Sequence, residues 1–223
     1  MIAENVGRLL QELPDGVQLE AAAKGRTSEE ILQAIAAGVR IIGENYLQEA
    51  EKIFRVVGRK ARWHFIGHLQ QNKVKKAVRI FDLIETVDSR ELAEEIDTIC
   101  ARQGKIMPVL IEVNSSAEKQ KFGLFPQNVK EFIKEISLLK NIRVMGLMTM
   151  GPQTENPEIT RPCFRRTKKL FDEIANDYIN SVQMRYLSMG MSDSYRMAIE
   201  EGANIIRVGS KIFGPRAARQ EKQ

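Results

Sequence analysis

The segment from Val17 to Thr27, VQLEAAAKGRT, decides how the rest of the chain is read. Before Lys24 it carries a charge only at Glu20, the composition of a buried strand, and Thr27 with Glu30 three residues on forms a capping box that opens a helix. A strand that ends in a lysine and turns at once into a helix is the first half of a βα unit. In α/β folds the carboxyl ends of the strands hold the chemistry, so Lys24 is predicted at the mouth of a parallel sheet. A partly desolvated amine in that place can attack a carbonyl.

Working outward, the same unit recurs along the chain. Ile2 to Leu13 reads as an amphipathic helix with Val6, Leu9, Leu10 and Leu13 on one side, closed by Pro14-Asp15-Gly16. After Lys24, a helix packs Ile31, Leu32 and Ile35 and stops at Gly38, and Val39 to Gly43 is a second strand with Glu44-Asn45 at its mouth. Helix Tyr46 to Val57 leads to strand Trp63 to Gly67, and a basic helix from Leu69 to Phe81 leads to strand Leu83 to Val87. Asp88 and Glu91 are read as the cap of the next helix, which faces inward through Leu92, Ile96, Ile99 and Cys100. Strand Pro108 to Val113 and a helix begun by Pro126 follow, then strand Arg143 to Met148 and a helix from Pro162 to Tyr178. Strand Arg185 to Met189, helix Asp193 to Glu201 and strand Ile205 to Val208 complete the series.

Eight strands this apolar need helices outside them, which predicts a (β/α)₈ barrel occupying residues 1–223 as a single domain with an extra N-terminal helix. The tail from Arg216 is too short and polar for a normal eighth helix, and the N-terminal helix is expected to cover that gap. An internal echo supports repetition: Ala34-Ile35-x-x-Gly38-x-x-Ile41-Ile42 returns as Ala198-Ile199-x-x-Gly202-x-x-Ile205-Ile206.

Composition narrows the function classes. A chain of 223 residues, 43% hydrophobic, is long enough to bury a full core. Its net charge of +5 is spread among alternating signs, and the one basic run, Lys73 to Arg79, reads as a solvated helix face, so no nucleic-acid stripe is expected. Cys100 and Cys163 fit neither a disulfide framework nor a zinc spacing. With no signal-peptide core and no membrane-length apolar run, a cytoplasmic protein is expected, and without a long apolar patch, a monomer. His64 and His68 are four apart, but His64 belongs to a strand, so a shared metal on one helical face is not expected.

The last two βα loops point to phosphate. Ser188-Met189-Gly190-Met191-Ser192 lies between the seventh and eighth strands, and Arg207-Val208-Gly209-Ser210 ends the eighth. Barrels often bind phosphate in these loops through backbone N–H groups and a helix N-terminus. Ser192 is placed as an N-cap, Gly209 as a point of close backbone approach, and Ser210 as a further hydroxyl.

With those residues in view, the chain resembles a known family. AAAK at the first strand, GENYLQE at 43–49, WHFIGHLQQNK at 63–73, MGLMTM at 145–150, LSMGMS at 187–192 and IRVGSKIFGPR at 206–216 are similar to the pyridoxal phosphate homeostasis proteins. The resemblance spans essentially the whole chain. It implies one barrel like the first domain of alanine racemase, holding pyridoxal 5'-phosphate (PLP) as a Schiff base on Lys24. It further implies Ser192, Gly209 and Ser210 on the phosphate, Arg207 at the pyridine nitrogen, Asn45 near the ring, and His64 and Met148 as wall residues. Two departures stand out: Gly25-Arg26-Thr27 follows Lys24 where many members have Thr-Lys-Pro, and Ser194 replaces a common acidic residue.

An arginine at the pyridine nitrogen keeps it unprotonated and weakens the ring as an electron sink. A racemase also needs an acid/base group on the opposite face; Tyr46 and His64 are the nominees, and each is better read as packing or cofactor support. The expected function is therefore a PLP carrier in vitamin B6 homeostasis, with apo PLP-enzymes as possible recipients and no catalytic residue. Two alternatives remain open: a PLP-dependent amino-acid racemase or lyase, and a cofactor-free Schiff-base aldolase of phosphorylated substrates using Lys24 directly.

Overall fold

Eight parallel strands close on themselves. β1 (Gln18–Ala22) pairs with β2 (Ile41–Glu44) on one side and with β8 (Ile205–Val208) on the other. Between them run β3 (Arg62–Phe65), β4 (Leu83–Val87), β5 (Met107–Glu112), β6 (Ile142–Met148) and β7 (Val182–Ser188), each beside its neighbour in sequence. This computed structural model describes residues 1–215 except positions 119, 153 and 155.

Period-two alternation sorts every strand into two layers. Ala21, Ile42, Trp63, Ile84, Val109 and Ile206 face the surrounding helices in the main apolar core. Trp63 is fully buried there, with Phe54 edge-on at 5.4 Å and its indole N–H donated to the Gly58 carbonyl at 2.9 Å. Burying one such side chain contributes about 1.5–3 kcal/mol. Inside the barrel Leu83, Leu110, Met145 and Met148 form a small separate cluster against Tyr186.

The helices are α1 (Ile2–Glu12), α2 (Ser28–Ala36), α3 (Leu47–Val57), α4 (Val74–Ile80), α5 (Arg90–Ala101), α6 (Pro126–Ile136), α7 (Pro157–Ala175), α8 (Tyr195–Glu200) and a single turn, α9 (Ser210–Phe213). The capping box expected at α2 is formed, with Glu30 N–H donating to Thr27 Oγ1 and Thr27 N–H to Glu30 Oε2. α1 packs against α9 at the end of the described chain. It buries Val6 and Leu9, donates from Asn5 Nδ2 to the Ile212 carbonyl of α9 at 3.1 Å, and accepts from Tyr195 Oη at Glu12. The polar tail from Arg216 lies outside the described residues.

Several boundaries differ from the sequence reading. Ser89, not Asp88, caps α5 by accepting from Leu92 N–H, because the Asp88 carboxylate is occupied with Gly123 N–H at 3.1 Å. The basic helix starts at Val74 after a 3-10 turn at Gln71–Lys73. α7 begins five residues earlier than Pro162: Asn156 caps it through Glu158 N–H, Pro157 sits in the first turn, and Pro162 is accommodated inside. It stops at Ala175, which leaves Tyr178 exposed rather than packed. β7 starts at Val182. Cys100 and Cys163 are buried free thiols. Among the described residues no helix is long and apolar enough to cross a membrane.

Candidate functional site

At the carboxyl ends of β1, β2, β7 and β8, Lys24, Asn45, Ser192, Arg207, Gly209 and Ser210 line one cleft of about 450 Å³. β1 delivers Lys24 by its alternation: Glu20 and Ala22 point inward, and Lys24 is the next inward position, just past the strand end. Its ammonium lies 4.8 Å from the centre of the Tyr46 ring and makes no ion pair among the described residues. The amine is thus placed in the cleft and not consumed by a carboxylate.

The departures from the family pattern have local explanations. Gly25 has φ +71°, and its N–H donates to Glu49 Oε2 at 2.9 Å. Arg26 reaches across to α9, donating to the carbonyls of Phe213 and Gly214 and lying over the Phe213 ring. This arginine therefore ties the Lys24 loop to the segment that carries Ser210. Ser194 precedes α8, and its hydroxyl accepts from Met191 N–H at 3.1 Å.

Ser192 does not cap α8, as the sequence suggested, because the helix begins three residues later. Its hydroxyl accepts from Gly209 N–H at 3.3 Å and so joins the two loops expected to cradle phosphate. Gly209 approaches β1 closely: a Cβ there would stand 3.1 Å from the Ala22 carbonyl oxygen. The groups gathered here are two hydroxyls and main-chain N–H donors, which suit a phosphate dianion.

Arg207 is buried and fixed at both ends of its guanidinium. Nη1 donates to Ser188 Oγ at 2.6 Å and Nη2 to the Thr149 carbonyl at 2.7 Å. Ser188 Oγ in turn donates to Glu85 Oε2 at 2.6 Å, and the other Glu85 oxygen meets His64 Nδ1 at 2.8 Å. Glu20 stands 3.3 Å from the same nitrogen. The remaining Glu20 oxygen has no partner among the described residues and occupies the space over Gly43, where a Cβ would lie 2.0 Å from it.

Charge balance sets the protonation of this network. Burial alone would lower the His64 pKa, but the hydrogen bond and charge of Glu20, then those of Glu85, hold it up at about 9. Burial likewise opposes ionisation of Glu85, yet His64 and the charge of Arg207 keep its carboxyl below the usual range. Glu20 is pushed up to about 7 by burial and then by the charge of Glu85. One carboxylate thus answers the two buried cations, and the second is poised to share that task.

His64 accordingly serves the barrel interior and does not line the cleft, where it was expected as a wall residue. Met148 also differs from expectation: it packs on Leu83 and Leu110 below the mouth, and Met150, two residues on, lines the cleft instead. The sequence reading further missed Arg26, Ile66, Met191 and the supporting pair Glu85 and Ser188. Period-two counting carried the signal for Glu85, which stands two residues after inward-facing Leu83. His64 and His68 point to different places, His68 stacking on Phe122 at 3.9 Å on the surface.

This barrel and its mouth have clear relatives. The family model described as "Alanine racemase, N-terminal domain" matches residues 2–217. An alanine racemase of Clostridium difficile superposes with a TM-score of 0.81 at 16% identity, over 98% of this chain and 56% of that one, which speaks for the fold alone. Closer in sequence is a pyridoxal phosphate homeostasis protein of Aquifex aeolicus, 41% identical over 89% of this chain and 87% of its own length. Its namesake in Schizosaccharomyces pombe is 38% identical over 90% and 84%. PipY of Synechococcus elongatus, solved with PLP bound, superposes with a TM-score of 0.88 at 33% identity, covering 96% of this chain and all of that one. Within the alanine racemase N-terminal class, the chain belongs to the pyridoxal phosphate homeostasis protein family.

Proposed function

We propose that this chain, acting as one barrel domain, holds pyridoxal 5'-phosphate in the Lys24 cleft and serves PLP homeostasis without robust catalysis. The observation that carries the reading is the convergence of Lys24, Arg207 and the Ser192 and Ser210 loops on one cleft. When bound, the cofactor supplies an aldehyde and an electron-accepting ring. Lys24 would supply the amine for the aldehyde, Arg207 would face the ring nitrogen, Asn45 would flank the ring, and Ser192, Gly209 and Ser210 would hold the phosphate. PipY, a relative at 33% identity, is described as binding PLP, which supports the same ligand here.

The electrostatics favour holding over turnover. An arginine cannot give a proton to the ring nitrogen, so the ring withdraws electrons weakly. The two nominees for an acid/base group are both engaged. His64 is locked between Glu20 and Glu85 inside the barrel, and Tyr46 lies against Lys24 itself rather than across from it. We read the protein as a cytoplasmic monomer that passes cofactor to apo-enzymes.

Borohydride reduction tests the reading. It should fix PLP on the peptide containing Lys24 and abolish the visible band, and Lys24→Ala should lose the adduct while keeping its fold. Loaded protein should restore an apo PLP-enzyme and show no rapid α-proton exchange on amino acids in deuterated water. An adduct elsewhere would reject Lys24; rapid exchange would favour a racemase; a protein that stays colourless with PLP would favour the aldolase.

A further inference from the structure

A second hollow of about 460 Å³ adjoins the Lys24 cleft, and the cofactor reading assigns no role to its Glu112 or Lys73. Asn45, Ile66 and Met150 line both. Its distinctive group is Glu112, the last residue of β5. Leu110, two residues before, faces the barrel interior, so Glu112 also points inward, one layer higher at the mouth. The residue is only 7% exposed, and its carboxylate has no hydrogen-bond or ion-pair partner among the described residues.

Buried carboxylates are ordinarily paired, and one left alone at a cavity wall is an acceptor awaiting a cation. The hollow also holds a charge of the opposite sign. Lys73, half-buried at the start of α4, lines it and likewise makes no ion pair among the described residues. The two charges share the hollow without meeting each other. The same hollow is lined by Ile66, Met150 and Phe122, whose ring is stacked on His68, alongside the polar Asn45, Gln70 and Thr86.

We infer that this hollow is a second ligand site, which takes a free α-amino acid as its zwitterion: ammonium on Glu112, carboxylate toward Lys73, side chain against Phe122 and Ile66. A zwitterion of this kind needs an acid, a base and apolar surface within one hollow, and Glu112, Lys73, Ile66 and Phe122 all line this one. Burial and then the charge of Asp88, against the pull of Arg207, push the Glu112 carboxyl up to about 7, and an ammonium partner would relieve it. The inference goes beyond the cofactor reading and stands or falls separately from it.

Titration calorimetry with L-leucine, on the full chain with and without PLP, tests the site. 3-Methylbutylamine, which lacks the carboxylate, and 4-methylpentanoate, which lacks the ammonium, serve as controls. Leucine should bind wild-type protein at millimolar concentration, and each control should bind about tenfold or more weakly, as should leucine to Glu112→Gln, given the usual worth of a charge-assisted hydrogen bond. Lys73→Gln should weaken leucine while leaving the amine unaffected; being nearer the surface, it decides the matter if Glu112→Gln fails to fold. No binding by the wild-type protein, or equal binding by Glu112→Gln, overturns the site. Amine binding as tight as leucine reduces it to a cation site and overturns the zwitterion. The visible PLP band should persist in both variants, and a wild-type protein that binds leucine but not PLP would sink the cofactor reading alone.

Discussion

Glu85 and Glu44 are both fully buried strand carboxyls, yet they live in opposite regions of the barrel. Glu85 faces the interior, where His64 and Ser188 bond it and Arg207 adds its charge, and it is held ionised. Glu44 follows outward-facing Ile42 on β2, and neither of its oxygens has a hydrogen-bond partner of normal geometry among the described residues; burial, then the charge of Glu49, against a weak backbone contact from Asn45, pushes it up to about 8. The helix-facing layer is almost wholly apolar and treats a carboxyl as an intruder. The interior beneath the cleft is built around charge. A carboxyl's worth is set by what the opposite strands bring to it, and the interior network ends on Arg207, the residue proposed to face the cofactor ring.

The sharpest way to break this contrast is to remove Glu85. Glu85→Leu strips the anion from His64 and Arg207 while keeping volume, and orphaning one side of a buried ion pair costs about 3–5 kcal/mol. Urea unfolding at pH 7 should show that loss, and the His64 pKa, followed by NMR, should fall from about 9. An unchanged midpoint would mean the interior charges are not mutually supporting.

A smaller change tests whether the network serves Arg207. Ser188 gives one hydrogen bond to Glu85 and accepts one from Arg207, both at 2.6 Å. Hydrogen bonds to charged partners contribute about 1.5–3 kcal/mol, so Ser188→Ala should lower stability by that order and also weaken PLP binding several-fold. Normal PLP affinity and an unshifted visible band, with only stability reduced, would make the network structural and leave Arg207 self-sufficient.

These residues also show where the sequence stops being legible. The strand and helix order follows from local periodicity, and the Lys24, Ser192 and Ser210 loops follow from strand ends, so the barrel and most of the cleft were readable. Ser188 and Glu85 are separated by 103 positions, and only closure of the sheet brings them together. The choice between Met148 and Met150 depends on height above the barrel floor, since both share the inward parity; alternation gives a face and not a depth. Helix starts failed where a neighbouring loop claimed the expected cap, as Gly123 claims Asp88.

The mildest test lies in the outer layer and works by gain. Glu44 is raised from 4.5 to about 8 in the fold, so between those pH values the folded state keeps a proton that the unfolded chain releases. The sign follows: its contribution is fully present below about 4.5, declines as pH rises toward 8, and is flat above. Glu44→Leu removes both the titration and two oxygens that lack well-formed partners among the described residues. It should stabilise the barrel by an amount of order 1 kcal/mol at pH 6, where wild-type Glu44 is still protonated, and by more at pH 8.5. Urea midpoints across that range would read the difference directly. A gain that stays constant with pH would place an undetected partner on Glu44, and a loss of stability would show that this carboxyl has a structural task. Because Glu44 precedes Asn45, the same variant should be titrated with PLP: unchanged affinity would keep Glu44 in the outer layer, apart from the cofactor cleft.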